Sequence, residues 1–427
     1  MAKKNLVSII DLGTYKCTTI IGILDNEDSF PRVIGMGIAP TLGVKKSNIV
    51  DLEQARESIV KSVEQAEAMA GVNITEAIVL ISGTNVSSLN SSGMVSITSQ
   101  NQEIEENDIE RVRYNTKSVK IPSGKTLIHL VDQTFKVDDQ DGIENPIGMT
   151  GMRLELKAHL ILASETKLHH LETCLKDSNI KVTSFVFSAL GASSIALTET
   201  EKELGSLLID IGAGTTNFCM FCDNSLEYSG SIPIGARNFT TDLTQFYNMN
   251  IEDAEKIKIF VSSESKIKKV SEPNEEKNRR RKGEKFDLSN LDLIDSNYDI
   301  YEEYLLQKIF YPRFEEIFNE IFKQLKKAGL TEKISGGVVL TGGGSKTRGS
   351  IYVAKKIFKT SARLGNIKDD ILLNVEKFLR DPQYASILGG LTYYLKNNEE
   401  TEMNDNIGNG FSIVWDKVKN FFKNIIG

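Results

Sequence analysis

Two short segments of this chain combine the residue types that hold phosphate. The first is Asp11-Leu12-Gly13-Thr14-Tyr15-Lys16, set between apolar runs at 6–10 and 17–24. The second is Asp210-Ile211-Gly212-Ala213-Gly214-Thr215-Thr216, which follows an apolar run at 206–209. Apolar runs on either side of a Gly-bearing turn read as a β-hairpin. Such a turn exposes backbone N–H groups toward an anion, and glycine lets the anion come close. Asp11 and Asp210 fall at the ends of their strands. Two carboxylates facing one another across a cleft hold Mg2+ through its waters, as hard oxygen donors do. Lys16 adds a cation for the same phosphates. A third turn, Thr341-Gly342-Gly343-Gly344-Ser345, joins a strand at 337–340 to a helix around 351–358 and offers a close-approach site at a helix N-terminus. One Gly-rich turn is common in any protein. Three in this order, two of them led by aspartate after an apolar strand, are not. Neither the dinucleotide fingerprint after the first strand nor a Walker A loop is present.

The elements around these turns repeat. The Asp-apolar-Gly turn occurs at Asp11 and again at Asp210, which implies two similar domains facing each other. A chain of 427 residues is long enough for both. In the first, Asp51 reads as the N-cap of a helix over 52–70, whose apolar face is Ala55, Ile59, Val63, Ala66 and Met69, with Gly71 as its stop. A buried strand at 77–81 ends at Ser82-Gly83. Short strands, polar turns and one helix at 107–118 then mark an inserted α+β subdomain over 84–162, before a helix at 165–177 and a strand at 182–187 resume the earlier style. The expected division is therefore 1–83 and 163–194 for the first domain, 84–162 for the insertion, and 195–238 with 307–396 for the second domain. A small subdomain occupies 239–306, a linker 397–410, and a terminal helix 411–427. A charged stretch at 262–297 contains the basic run Arg279-Arg280-Arg281-Lys282, and Pro312 breaks a helix over 309–327 near its start.

The three turns resemble the nucleotide loops of the superfamily of actin, DnaK-type chaperones and sugar kinases. There, two phosphate hairpins and a glycine adenosine loop clamp ATP between two ribonuclease-H-like domains. By that resemblance Asp11, Gly13, Thr14, Tyr15 and Lys16 form the first phosphate loop. Asp210, Gly212, Ala213, Gly214, Thr215 and Thr216 form the second, and Gly342, Gly343 and Gly344 the adenosine loop. Glu255 and Lys258, which share a helix face, resemble the residues that contact adenosine. Several stretches are similar to the FtsA family of bacterial cell-division proteins in particular. They are Asp51-Leu52-Glu53, Thr116-Lys117-Ser118-Val119, Gly142-Ile143-Glu144-Asn145-Pro146-Ile147-Gly148-Met149-Thr150-Gly151, Leu197-Thr198-Glu199, Glu203-Leu204-Gly205 and Val339-Leu340-Thr341-Gly342-Gly343. The Asn-Pro-Ile-Gly-Met segment discriminates best, because it lies in the insertion that sets that family apart. The resemblance implies an α/β, actin-like two-domain ATPase fold that binds ATP and Mg2+ through Asp11 and Asp210. It implies self-assembly into filaments, recruitment of the tubulin-like FtsZ, and contacts to later division proteins through the insertion. Arg313 resembles a family feature near the FtsZ-binding face, while the basic run has no counterpart and reads either as a contact for acidic tails or headgroups or as a solvated loop. An actin-like adaptor of another membrane machine, such as pilus assembly, and a sugar-kinase or chaperone ATPase are the alternative readings.

Fast hydrolysis needs a residue that positions the attacking water. Where related ATPases place a glutamate, this chain has Ser188, a poor general base, so tight binding with slow hydrolysis is expected. Cys219-x-x-Cys222 falls on a strand, where a spacing of three points side chains to opposite faces, and no second pair exists to complete a zinc site. Four cysteines in 427 residues fit a reduced, cytosolic setting. The net charge of −7 argues against nucleic acid. At the C-terminus, Phe411, Val414, Trp415, Val418, Phe421, Phe422 and Ile425 form one apolar stripe, with Lys417, Lys419 and Lys423 opposite. A helix so short and so charged lies in the headgroup plane and does not cross it. The expected location is the cytoplasmic face of the membrane at the division septum.

Overall fold

The computed structural model describes residues 5–24, 32–99, 101–263, 269–270, 285–295, 298–367 and 377–405. The terminal stripe and the basic run at 279–282 lie outside these residues.

Two five-stranded sheets share one plan. In the first, the hairpin Asn5–Leu12 and Lys16–Leu24 continues antiparallel into Arg32–Pro40. On its other side Asn5–Leu12 pairs parallel with Glu76–Ile81, and that strand with Lys181–Phe187. In the second, Ser206–Ile211, Thr216–Cys222 and Ser225–Ile232 make the antiparallel part, while Gly337–Thr341 and Ala362–Leu364 extend it in parallel. Parallel strands must be covered on both faces, and Gly337–Thr341, parallel to both its neighbours, is accordingly buried at every position. The repeated turns are thus the matching hairpins of two matching sheets.

Local chemistry sets the helix limits. Helix Leu52–Ala70 begins at Asp51, whose Oδ1 accepts from Gln54 N at 3.0 Å, and ends at Gly71 with φ 70°. It packs tightly on the first sheet, because a Cβ at Gly35 or Gly37 would strike the helix backbone at Ala66 or Ser62. Pro312 does not break its helix. It follows a π-helical turn Leu306–Phe310, in which Tyr311 N donates to Leu306 O, and stands in the first α-helical turn of Tyr311–Lys327. The linker expected from 397 is corrected as well: the last described helix runs Ala385–Asp405. Residues 397–405 contain no glycine or proline to stop it. Among the described residues no helix is long and apolar enough to cross a membrane.

The insertion is a four-stranded sheet in the order Ser87–Ser96, Arg153–Ser164, Lys125–Val137, Gln140–Ile143, with helix Glu106–Lys117 on one face. Its own core includes Ile109, Val112, Phe135, Leu154 and Leu156. It leans on the second half as well as the first. Ser88 Oγ donates to Ser229 O at 2.7 Å, Gln133 Nε2 to Leu226 O at 2.8 Å, and His159 Nε2 lies 2.8 Å from Ser229 Oγ. Toward the first half, Phe187 N donates to His129 Nε2 at 3.0 Å.

The halves are joined where helix Ser188–Ala196 crosses Ala385–Asp405. Glycine faces glycine there: a Cβ on Gly191 would lie 2.9 Å from Gly390 Cα.

Candidate functional site

The two hairpin turns have the same geometry. Gly13 N donates to Lys16 O at 3.1 Å, and Gly212 N to Thr215 O at 2.9 Å. Each places an aspartate on the last pair but one before the turn, Asp11 opposite Thr18 and Asp210 opposite Asn217. Asp210 is buried and Asp11 partly buried. Burial, with Asp210 close enough to add its charge, pushes Asp11 up to about 6. Burial also pushes Asp210 up to about 6, against hydrogen bonds that favour its charged form. One of those comes from Ser386 Oγ at 2.9 Å. Two acids close enough to interact are a pair suited to a hydrated divalent ion, with Lys16 and Lys167 offsetting part of the Asp11 charge.

Lys16 stands beside them. Burial lowers its ammonium to about 8 while Asp11 opposes the shift. Its Nζ donates to Gln383 Oε1 at 3.1 Å and lies 3.9 Å from the centre of the Tyr384 ring. The third turn meets the same group. Gly342, with φ 80°, donates from its N to Pro382 O at 3.0 Å, and any Cβ there would strike Asp210 Oδ1 and Ile211 O. Gly344 packs against Ile211 and Ala236, whereas Gly343 faces open space, its nearest neighbour being Gln383 Cβ at 3.9 Å. The three glycine turns therefore converge on Asp210.

The remaining expected residues separate into roles. Ala213 and Gly212 accept from Arg237 N and Ala236 N, both at 2.8 Å, so the second turn is braced by the start of helix Ala236–Tyr247. Thr216 is committed to Ile234 O at 2.8 Å. Tyr15 is 56% exposed and close enough to feel the Glu255 charge. Lys258 is buried, with its ammonium bonded to Glu255 Oε2 at 2.7 Å, Thr240 Oγ1 at 2.9 Å and Ala236 O at 3.3 Å. All three of its donors are thereby used within the protein. Ser188 Oγ is buried against Asp210 without a hydrogen bond of ordinary geometry. Cys219 and Cys222 are free and buried, and no group of three metal-binding side chains occurs among the described residues. Arg313 is elsewhere. It makes a fork to Asp242 at 2.8 and 2.7 Å on a groove of about 420 Å³ lined also by Phe246, Lys308, Ile309 and Pro312.

Sequence reasoning missed Ser47, Asn217, Lys167, Gln383, Tyr384 and Ser386. Ser47 Oγ is 2.9 Å from Thr215 Oγ1, and Gly83 N donates to Asn217 Oδ1 at 2.9 Å, so both tie the halves across the cleft. Lys167 donates to Ser82 O beside Asp11. None sits in a turn pattern of its own; only proximity reveals them.

The matched family models fall on these features. Residues 83–162 match the model described as "SHS2 domain inserted in FTSA", and residues 207–389 match "Cell division protein FtsA". Cell division protein FtsA of Borreliella burgdorferi is 33% identical over 402 residues, 91% of each chain. The chain belongs to the FtsA family. The FtsA of Pseudomonas aeruginosa is 30% identical, covering 92% of this chain and 89% of its own. That of Bacillus subtilis is also 30% identical, with 93% and 85% covered. Among solved structures, the PilM-PilN type IV pilus biogenesis complex aligns with a TM-score of 0.61 at 13% identity, over 90% of this chain and 97% of that one. MreB 5 of Spiroplasma citri bound to AMPPNP gives 0.52 at 16%, over 93% and 99%. At such identities these neighbours speak for the fold, which is actin-like with an SHS2 insertion. Family membership makes the chain an actin-like cell-division protein and sets aside the pilus, kinase and chaperone readings.

Proposed function

We propose that the cleft binds ATP with Mg2+ and that the chain, assembled into filaments, tethers FtsZ to the cytoplasmic face of the membrane at the septum. The observation that carries the nucleotide reading is the convergence of three glycine turns on the pair Asp11 and Asp210, with Lys16 beside them. These residues fit the group. The turns present backbone N–H donors where a Cβ would collide, the carboxyls suit a hydrated cation, and Gly343 leaves an open side for a base. When bound, Mg-ATP would supply a polyanion for the turns and a hydrated cation for the carboxyls. Asp11 and Asp210 orient the ion's waters, Lys16 and the two turns hold the phosphates, and Glu255 with Tyr15 edges the entrance. Neighbours of the same fold crystallised with ADP or AMPPNP support this assignment. Ser188 stands where a water-positioning acid is needed, so turnover is slow or negligible.

The groove beside Arg313 is the candidate seat for FtsZ, since it sets the apolar Phe246, Ile309 and Pro312 beside charges of both signs, Lys308 and Arg313 with Asp242 and Glu316. The SHS2 insertion is the candidate contact for later division proteins. The C-terminal stripe of Phe411, Val414, Trp415, Val418, Phe421, Phe422 and Ile425 is the membrane anchor; one such helix binds weakly, and a filament presenting many gains avidity. Imaging a tagged chain with and without residues 411–427, alongside Mg-ATP titration of both, tests the whole reading. The truncated chain is expected to bind Mg-ATP normally and to lose its mid-cell band. Absence of Mg-ATP binding in the intact chain would sink the nucleotide assignment. A band that survives truncation would sink the anchor.

A further inference from the structure

The tip of a small hairpin, Val44–Lys45 and Asn48–Ile49, reaches into the space between the two phosphate turns. Its two central residues are both left-handed, Lys46 at φ 47° and Ser47 at φ 61°. A two-residue turn of this kind favours Asn and Gly, and an ordinary side chain there is held at a cost. Yet Ser47 is only 7% exposed and saturated with contacts. Its N donates to Thr14 Oγ1 at 3.0 Å, in the first phosphate turn. Its Oγ is 2.9 Å from Thr215 Oγ1, in the second, and accepts from Ser82 Oγ at 3.1 Å. Ser82 is in turn the carbonyl partner of the buried Lys167 ammonium. Gly214 is pressed against Thr14 and Lys46, so the tip fits closely over the second turn. One strained residue thus bonds both phosphate turns, one from each half.

We propose that Ser47 is a latch that holds the two halves closed over the nucleotide and sets the rate at which nucleotide is released. This rests on the nucleotide reading of the cleft. The physical reason is the asymmetry of its bonds. Those from Ser47 N to Thr14 and from Ser82 to Ser47 stay within the first half, so opening leaves them intact. The bond to Thr215 crosses the cleft and must break when the halves part. The left-handed backbone aims the hydroxyl across the gap, so the strain is retained for position. Ser47 is a positioning residue: it acts on the cleft through Thr14 and Thr215.

The test measures dissociation of N-methylanthraniloyl-ATP with Mg2+ from the full chain, chased by excess ATP. Ser47→Ala removes the hydroxyl and keeps the backbone geometry. It is expected to release the analogue about five- to tenfold faster, the factor for one lost hydrogen bond, with association little changed. Ser47→Gly should release as fast while relieving the left-handed strain, which guards against a folding artefact in the alanine variant. Thr215→Val should act through the same bond, so the double variant Ser47→Ala/Thr215→Val should release no faster than Thr215→Val alone. Additive effects of the two substitutions, or wild-type release in both Ser47 variants, would overturn the latch while leaving nucleotide binding intact. Failure of the wild-type chain to bind the analogue would overturn the cleft assignment and the latch with it.

Discussion

At the scale of single residues, the decisive chemistry is the pair of acids in the cleft. Asp11 and Asp210 both sit near 6 because burial, and for Asp11 the neighbouring Asp210, oppose their charge. A carboxyl whose folded value is raised contributes stability that is complete below its unfolded value near 4 and is lost as pH rises through about 6. At pH 7 burial therefore disfavours both carboxylates in the nucleotide-free protein, and removing one negative group should stabilise it. Asp210→Asn is expected to raise the unfolding free energy of the nucleotide-free chain by about 1–3 kcal/mol at pH 7, with no gain at pH 4. The same variant should weaken Mg-ATP binding by about tenfold or more, because a carboxylate charge facing the ion's waters is lost. Thermal unfolding at the two pH values, with and without Mg-ATP, checks both parts. A variant less stable than wild type at pH 7 without nucleotide would contradict the argument. Lys258 is the expected site residue most firmly held within the protein. Its spacing from Glu255 was readable, but its three internal bonds make it a brace between helices Ala236–Tyr247 and Ile251–Ser262. Burial is not readable from spacing.

At the scale of elements, the crossing of Ser188–Ala196 over Ala385–Asp405 is the joint between the halves. Gly191 meets Gly389 and Gly390 with no room for a side chain, and Ser194 Oγ donates to Gly389 O at 2.8 Å. Gly191→Ala adds one methyl where backbone would have to move. Overpacking of this kind costs about 1–3 kcal/mol, and the displaced helix carries Ser386, the partner of Asp210. The expected outcome is a lowered melting temperature together with weaker Mg-ATP binding. Unchanged binding at full stability would show that the joint tolerates separation. The helix limits at Asp51 and Gly71 were legible because caps are local chemistry. The extension to Asp405 was not, because acidic composition reads as linker while nothing in it forbids a helix.

At the scale of the whole molecule, the insertion is docked on both halves through neutral histidines. His129 Nε2 accepts from Phe187 N, and His159 lies between Asn90 Oδ1 at 2.5 Å and Ser229 Oγ at 2.8 Å. Burial lowers both to about 4. A histidine depressed in the fold contributes stability that is present above its unfolded value near 6.5 and is lost as pH falls toward 4. The acids of the cleft slope the other way over part of this range, so the informative quantity is a difference. The stability gap between wild type and His159→Gln should shrink by on the order of 2 kcal/mol between pH 7 and pH 4.5. Urea unfolding at a series of pH values measures it, and a gap that does not change with pH would remove His159 from the account. The docking also means that one rigid contact set links the SHS2 sheet to strand Ser225–Ile232 of the second half, next to the hairpin that carries Asp210.

What the sequence determined by itself was whatever depends on neighbours along the chain. The three glycine turns, the aspartates leading two of them, the duplication they imply, the extent of the insertion and the caps of Leu52–Ala70 are all set by spacings of a few residues. The tertiary structure decided which distant groups share a site. Ser386 reaches Asp210, Gln383 and Tyr384 reach Lys16, and Ser47 reaches Thr14 and Thr215, none of them marked by a pattern. The reason is physical. A turn is specified by the dihedral preferences of its own residues, but a hydrogen bond across a cleft exists only after two sheets have packed and placed their loops together.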